Sequence, residues 1–411
     1  MTDLSDQMLL LGAQAKTAAD ALRSVPAEQR SVGIAAMARH IRAATPAILA
    51  ANRADVAAAT RLVDRLRLDE ARIEAMAASL DIIAGLPDVV GQELARWTPG
   101  NGLDIARIRT SIGVIGMIYE SRPNVTADAA ALCLRSANVV ILRPGSEAFA
   151  SCVAINDALQ AGLAEAGLPP HVVQLVPTPD RAAVGHMLEG LGGSIELIIP
   201  RGGKPLVERV TNESRVPTLG HLEGLCHSYV HAAADPAMAI AIVRNAKMRR
   251  TSVCGATETL LIDRAVAATL LPQIAAALTD CELRGDDEAR AIVPMVAATD
   301  ADWSCEYLEP ILAVRIVAGL DEAIAHIRRY GTGHTEAIIT DDEAAANAFL
   351  DKVDAAIVLH NASTQFADGG EFGFGGEIGI ATGKLHARGP VGPEQLTSFK
   401  YVVRGGGRIR P

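Results

Sequence analysis

The chain has 411 residues, 49% of them hydrophobic but only 3% aromatic, and a formal net charge of −10 at pH 7. That length exceeds one ordinary core and predicts two or more domains, packed mainly by Ala, Val, Leu and Ile. The acidic balance and the scarcity of aromatic platforms argue against nucleic acid or an anionic membrane as a general partner.

The first residues, Met1-Thr2-Asp3-Leu4-Ser5-Asp6, lack the basic and apolar stretches of a signal peptide. Residues 5 to about 95 read as Ala-rich helices, with Pro26 and Pro46 at first-turn positions and Glu28 near a positive helix end. Trp97-Thr98-Pro99-Gly100-Asn101-Gly102 is a turn cluster, and Ile105 to Thr110 alternates as a half-exposed strand does. From residue 112 the rhythm becomes strand and helix in turn. Strands are expected at 114–119, 138–142, 172–176 and 195–199, and helices at 126–137, 147–166, 180–189 and 204–212. These strands have no solvent face, so they predict a parallel α/β sheet covered on both sides.

A second alternating run covers about 226–360, with helices at 236–250, 264–278, 321–330 and 342–351 and strands at 258–262, 311–317 and 336–340. The Gly-rich stretch 369–383 suggests a loop closing over a site. No apolar run approaches the roughly 18–20 residues that span a bilayer. The cysteines, Cys133, Cys152, Cys226, Cys254, Cys281 and Cys305, show no CxxC spacing, and the histidines show no HExxH. That fits a reducing cytosol and argues against a disulfide framework or a metal site.

Four segments carry chemistry. Cys254 follows a cationic helix end, with Lys247, Arg249 and Arg250 within seven residues of it. Positive charge favours the thiolate, which is the nucleophile, and would also attract an anionic substrate. The alternatives are a small buried hydrophobe for Cys254 and a solvated helix end for Lys247. Arg201-Gly202-Gly203-Lys204 sits between strand and helix, where backbone N–H groups suit a phosphate; the alternative is a tight turn. At Arg143-Pro144-Gly145-Ser146-Glu147, Arg143 suits a ribose 2′-phosphate and Ser146 with Glu147 suit ribose hydroxyls; Ser146 is equally a helix N-cap. Asn124 lies at a strand's C-terminal end, where parallel sheets hold ligands and an amide can serve an oxyanion; Pro-Asn is also turn chemistry.

Together these segments resemble the aldehyde dehydrogenase superfamily, and within it the γ-glutamyl phosphate reductases. The resemblance rests on YESRPNVTADAAALCLRSANVVILRPGSEA (119–148), IELIIPRGG (195–203), VPTLGHLEGLCHSYV (216–230), NAKMRRTSVCGATETLLI (245–262), YGTGHTEAIIT (330–340) and the run 361–405. It implies reduction of L-glutamyl 5-phosphate by NADPH to L-glutamate 5-semialdehyde, phosphate and NADP, the second step of proline biosynthesis from glutamate. The alternative is an oxidising aldehyde dehydrogenase acting on a free aldehyde. In the resemblance Cys254 is the nucleophile that forms a thioester and Asn124 the oxyanion donor. Arg143, Pro144, Ser146, Glu147, Arg201, Gly202, Gly203 and Glu306 fall on the cofactor. Arg249, Arg250, Glu223, Asn361, Ser363 and Thr364 are candidates for the substrate. Pro144, Cys152 and Thr251-Ser252 depart from the family pattern.

The implied architecture is two parallel α/β domains plus an oligomerisation arm. Residues 1–97, 112–225 and 365–389 would bind NADPH, 226–364 would form the catalytic domain, and 98–111 with 390–411 the arm. A homodimer or higher even oligomer in the cytoplasm is expected. Contact with glutamate 5-kinase, which makes the labile substrate, is compatible with the resemblance, and no residue marks it.

Overall fold

The structure, a computed structural model, describes residues 3–59 and 63–410. The chain divides into two compact units. The first takes Met1–Gly220, Gly373–Gly379 and Val391–Pro411; the second takes His221–Phe372 and Ile380–Pro390.

The first unit begins with helices α1 (Leu4–Leu22), α2 (Ala27–Ala43), α3 (Thr45–Ala58), the single turn α4 (Val63–Leu66) and α5 (Glu70–Gly85). Pro26 stands one residue outside α2, at its N-cap. Strands β1 (Glu93–Trp97) and β2 (Asp104–Ser111) pair antiparallel. Then β3 (Val114–Tyr119), α6 (Val125–Arg135), β4 (Val139–Pro144), α7 (Phe149–Glu165), β5 (Val173–Leu175), α8 (Ala182–Leu188), β6 (Leu197–Arg201) and α9 (Lys204–Glu213) alternate as the pattern predicts. The four-stranded sheet runs β5-β4-β3-β6, all parallel, and every residue of β3 and β4 is buried. Small residues let the helices close on one another. A Cβ on Gly162 of α7 would stand 2.5 Å from the Met37 backbone nitrogen of α2.

Element ends differ from expectation for local reasons. The helix expected to reach residue 137 stops at Arg135, because Ala137 turns with φ 56°. The strand expected from 195 begins at Leu197, after a turn that includes Gly190, Leu191, Gly192 and Gly193 at positive φ. Ser146 opens a 3-10 turn, Ser146–Ala148, whose N-cap is Gly145, not Ser146.

The second unit contains β7 (Cys226–Val230), α10 (Pro236–Met248), β8 (Thr257–Asp263), α11 (Arg264–Ala277), β9 (Glu282–Gly285), α12 (Asp287–Ile292), β10 (Val296–Ala297), β11 (Ile311–Val317), α13 (Leu320–Tyr330), β12 (Thr335–Ile339), α14 (Glu343–Lys352) and β13 (Ile357–His360). They form a seven-stranded sheet in the order β10-β9-β11-β8-β7-β12-β13, parallel throughout. Central β7, Cys-His-Ser-Tyr-Val, is too polar to announce itself as a buried strand. Each of three polar side chains finds a partner inside the fold: His227 with Glu336, Ser228 with Thr257 and Tyr229 with Asp263. The short strands β14 (Ile380–Ala381) and β15 (Gly389–Pro390) complete this unit.

The chain returns to the first unit as β16 (Thr397–Arg404), which pairs antiparallel with β2 and makes a three-stranded sheet, β1-β2-β16. The hairpin partner of β2 lies before the turn cluster, at Glu93–Trp97. No helix of the described residues is long and apolar enough to cross a membrane.

Candidate active site

Helix α10 ends at Met248, and a short loop carries the chain to β8. Cys254 stands in that loop, half-buried. The loop is packed so closely that glycine is required beside it. A Cβ on Gly224 would lie 2.5 Å from both the Cβ and the carbonyl oxygen of Cys254. Buried Cys226 donates its thiol to that same carbonyl at 3.0 Å.

Two imidazoles share the neighbourhood. His221, Cys254 and His334 each offer one donor atom within 4.8 Å of the others, and the two rings meet edge to face with centroids 4.8 Å apart. His221 Nδ1 is 2.6 Å from the Ile380 carbonyl, so that nitrogen carries a proton. His334 is fully buried; its Nδ1 lies 2.9 Å from Thr335 Oγ1, and its Nε2 has no hydrogen-bond partner. Burial pushes the Cys254 thiol up, but His334 and then His221 outweigh it and hold it well below its ordinary value. Glu306 adjoins this site. Its Oε1 accepts the Gly224 N–H at 3.0 Å, and its carboxyl is pushed up by burial and further by the Cys254 charge.

Of the cations nearest in sequence, Lys247 is not a solvated helix end. It is fully buried, and its Nζ is 2.5 Å from Glu258 Oε2. Burial pushes Glu258 up to about 7 against the pull of Lys247, and its Oε1 accepts the Leu308 N–H. The pair thus ties the end of α10 to β8 and to the segment after Glu306. Arg249 and Arg250 are exposed at the end of α10. The Gln365 amide braces this end by donating to the Ala246 and Arg250 carbonyls.

The residues expected at the substrate head group have internal partners. Asn361 brackets Thr340, accepting its N–H at 2.8 Å and donating to its carbonyl at 2.9 Å. Ser363 caps a 3-10 turn by accepting from the Gln365 N–H, and buried Thr364 meets Thr257 Oγ1 at 3.0 Å. These bonds shape the loop. Glu223 is half-buried immediately before Gly224.

In the first unit, Asn124 is exposed at the start of α6 and donates from Nδ2 to Asp128 at 2.9 Å. Loss of water pushes Asp128 up to about 6 despite its bonds to Asn124 and Ser79. Arg143 is buried and donates to the Pro144, Pro179 and Asp180 carbonyls, which orders the loops beyond β4 and β5. Glu147 accepts from both the backbone and the hydroxyl of Ser121. Arg201 lies 3.6 Å from Glu377. Gly203 caps α9 and gives its N–H to Glu120, and a Cβ on Gly202 would meet the same carboxylate at 2.6 Å. A carboxylate therefore already sits at a helix start suited to anions. Cys152 is buried beside Thr126 and Tyr119, and burial pushes its thiol up to about 12, the behaviour of a core residue.

The profile described as "Aldehyde dehydrogenase family" matches residues 6–310. The chain is 62% identical to a γ-glutamyl phosphate reductase of Caulobacter vibrioides over 98% of this chain and 99% of that one. It is 60% identical to one of Hyphomonas neptunium, over 99% and 97%. The crystal structure of the γ-glutamyl phosphate reductase of Thermotoga maritima superposes with a TM-score of 0.95 at 41% identity, covering 99% of this chain and 100% of that one. The chain belongs to the aldehyde dehydrogenase family, and within it to the γ-glutamyl phosphate reductases.

Asn124, Cys254 and Glu306 lie within the span matched by the aldehyde dehydrogenase profile, whereas His334 and the 361–364 loop lie beyond it. Sequence reasoning missed His221, Gly224 and His334 beside Cys254 and Gln365 at the end of α10. No motif spacing joins residues 113 apart in the chain, as His221 and His334 are. The need for glycine at Gly224 is visible only once the position of Cys254 is known.

Proposed function

We propose that this chain reduces L-glutamyl 5-phosphate to L-glutamate 5-semialdehyde with release of phosphate, the second step from glutamate toward proline. The observation that carries this reading is the half-buried Cys254 thiol held well below its ordinary value in a reductase-family chain. The thiolate attacks the acyl phosphate carbonyl, the C–S bond forms, and phosphate leaves with the C–O electron pair. Phosphate needs little help as a leaving group. NADPH, when bound, supplies the hydride that reduces the thioester.

The chain's own groups would position these events. The Asn124 amide, with one N–H aimed at Asp128 and a second to give, suits an oxyanion; removing such a donor costs roughly 3–4 kcal/mol of barrier. Glu306 suits the nicotinamide ribose, and the Arg143–Glu147 and Arg201–Gly203 turns suit the adenosine end and pyrophosphate of NADPH. A 2′-phosphate at Arg143 would compete with three backbone carbonyls for one guanidinium. Arg249 and Arg250, exposed near the thiol loop, suit the substrate's phosphate or carboxylate. Glu223 suits a positioning role, since activating water would hydrolyse the thioester.

We further propose an even homo-oligomer built on the β1-β2-β16 sheet, which exposes Trp97, Phe399, Tyr401 and Val403 at edge and surface. A cytoplasmic setting is part of the same proposal, and contact with the kinase that makes the labile acyl phosphate is compatible with it. The test is NADP reduction by glutamate semialdehyde with and without phosphate, in wild type and Cys254→Ala. Activity that requires phosphate and vanishes in the variant supports the reading. Activity without phosphate would move the chain to the aldehyde-oxidising enzymes.

A further inference from the structure

We infer that His334, assisted by His221, takes the Cys254 thiol proton and holds the sulfur as a thiolate, both before attack and when the sulfur departs. The reaction context rests on the reductase reading, but the ion pair itself does not.

Three features point the same way. The donor atoms of the two histidines and Cys254 lie within 4.8 Å of one another. Both rings are anchored through Nδ1, His221 on the Ile380 carbonyl and His334 on the Thr335 hydroxyl. That anchoring leaves each Nε2 as the ring's remaining pole, and on fully buried His334 this atom has no hydrogen-bond partner. An unmatched buried ring nitrogen is costly unless something charged uses it. His227 and His326 also carry unmatched ring nitrogens, but they sit in a cluster with Glu336, Trp303 and Tyr330 that contains no thiol.

The other groups facing the sulfur do not supply the positive charge. Ile357, Ala367 and Ile380 form an apolar wall. Cys226 beside the loop is pushed up by burial and stays a thiol. Glu306 carries charge of the wrong sign. Arg249 and Arg250 are exposed, and Lys247 is neutralised by Glu258. The imidazoles remain. The depressed thiol agrees, with His334 the stronger of the two.

The proton count closes. The S–H bond breaks and an N–H bond forms on an imidazole Nε2. The sulfur then gains its bond to carbon as phosphate leaves. After hydride transfer, the hemithioacetal oxygen re-forms the carbonyl, the C–S bond breaks, and the electron pair returns to sulfur opposite the same imidazolium. No other acid or base is needed, because the sulfur both enters and leaves as thiolate.

The test is the pH dependence of iodoacetamide alkylation of the full chain, with Cys254→Ser as background. The wild-type midpoint is expected well below the roughly 8.5 of a free cysteine. His334→Gln keeps a polar side chain but removes the charge, and should raise the midpoint by about 1–3 pH units. His221→Gln should raise it by less. A folded His334→Gln with an unmoved midpoint would overturn the assignment. If His334→Gln does not fold, an unmoved midpoint in His221→Gln overturns it and a raised one supports it. Alkylation needs no substrate, so a raised midpoint without phosphate-dependent turnover would keep the ion pair while sinking the reductase reading.

Discussion

Two charged clusters lie within a few residues of each other in the second unit, and they are built on opposite plans. Lys247 and Glu258 are both buried and matched, cation to carboxylate, with the Leu308 N–H on the remaining oxygen. Around Cys254 the match is left open: a half-buried thiol, an imidazole nitrogen without a partner and a carboxylate pushed up by its surroundings. The closed cluster can hold structure but has nothing left to react with. The open one keeps interaction energy available for a substrate.

Breaking the open cluster should have the largest effect on activity and little on folding. Cys254→Ser is expected to lower phosphate-dependent turnover by roughly 10^4-fold or more while thermal melting barely moves. Gly224→Ala comes next. Its methyl would strike the Cys254 backbone and Cβ, displacing the thiol and the N–H that Glu306 accepts. An ångström of displacement is worth about 10^2-fold in kcat/KM. Wild-type kinetics in this variant would show that the loop does not need its close packing.

Breaking the closed cluster should do the reverse. Lys247→Met leaves Glu258 buried and unpaired and should cost about 3–5 kcal/mol of stability by urea denaturation. Lys247→Met with Glu258→Leu should recover most of that loss. The single variant also has a pH signature. Folded Glu258 holds its proton up to about 7, above its unfolded value, so its contribution favours the fold at low pH and is lost as pH rises from about 4.5 through 7. Without Lys247 the carboxylate is harder still to ionise. The penalty of Lys247→Met should therefore be larger at pH 8 than at pH 5, and equal penalties would refute a charged pair.

The contrast also explains what the sequence made legible. Strand and helix alternation was readable because buried parallel strands such as Val114–Tyr119 carry no charged residue. The Cys254 loop stood out because a cationic run precedes a lone cysteine. The imidazoles beside that cysteine did not. Lys247 is close in sequence but turned toward Glu258, whereas His221 and His334 precede β7 and β12, strands that are neighbours in the sheet but far apart in the chain. Strand β7 was hidden for a related reason: its polar residues are satisfied by partners 29 to 109 positions away, which a local pattern cannot register.

The smallest expected effect concerns the 361–364 loop, where substrate binding and loop shaping make different demands. Asn361 sits at φ 52°, a conformation that asparagine tolerates better than most residues, and spends both ends of its amide on Thr340. Asn361→Ala should therefore cost about 1–2 kcal/mol of stability, through lost bonds and a strained backbone, with KM for glutamate semialdehyde unchanged. A residue that grips the amino-acid head group would behave otherwise: KM would rise tenfold or more at nearly constant kcat, with melting hardly altered. The split between melting temperature and KM thus separates a bracket from a ligand contact. It also asks whether the open plan seen at Cys254 extends along the loop or stops at the thiol.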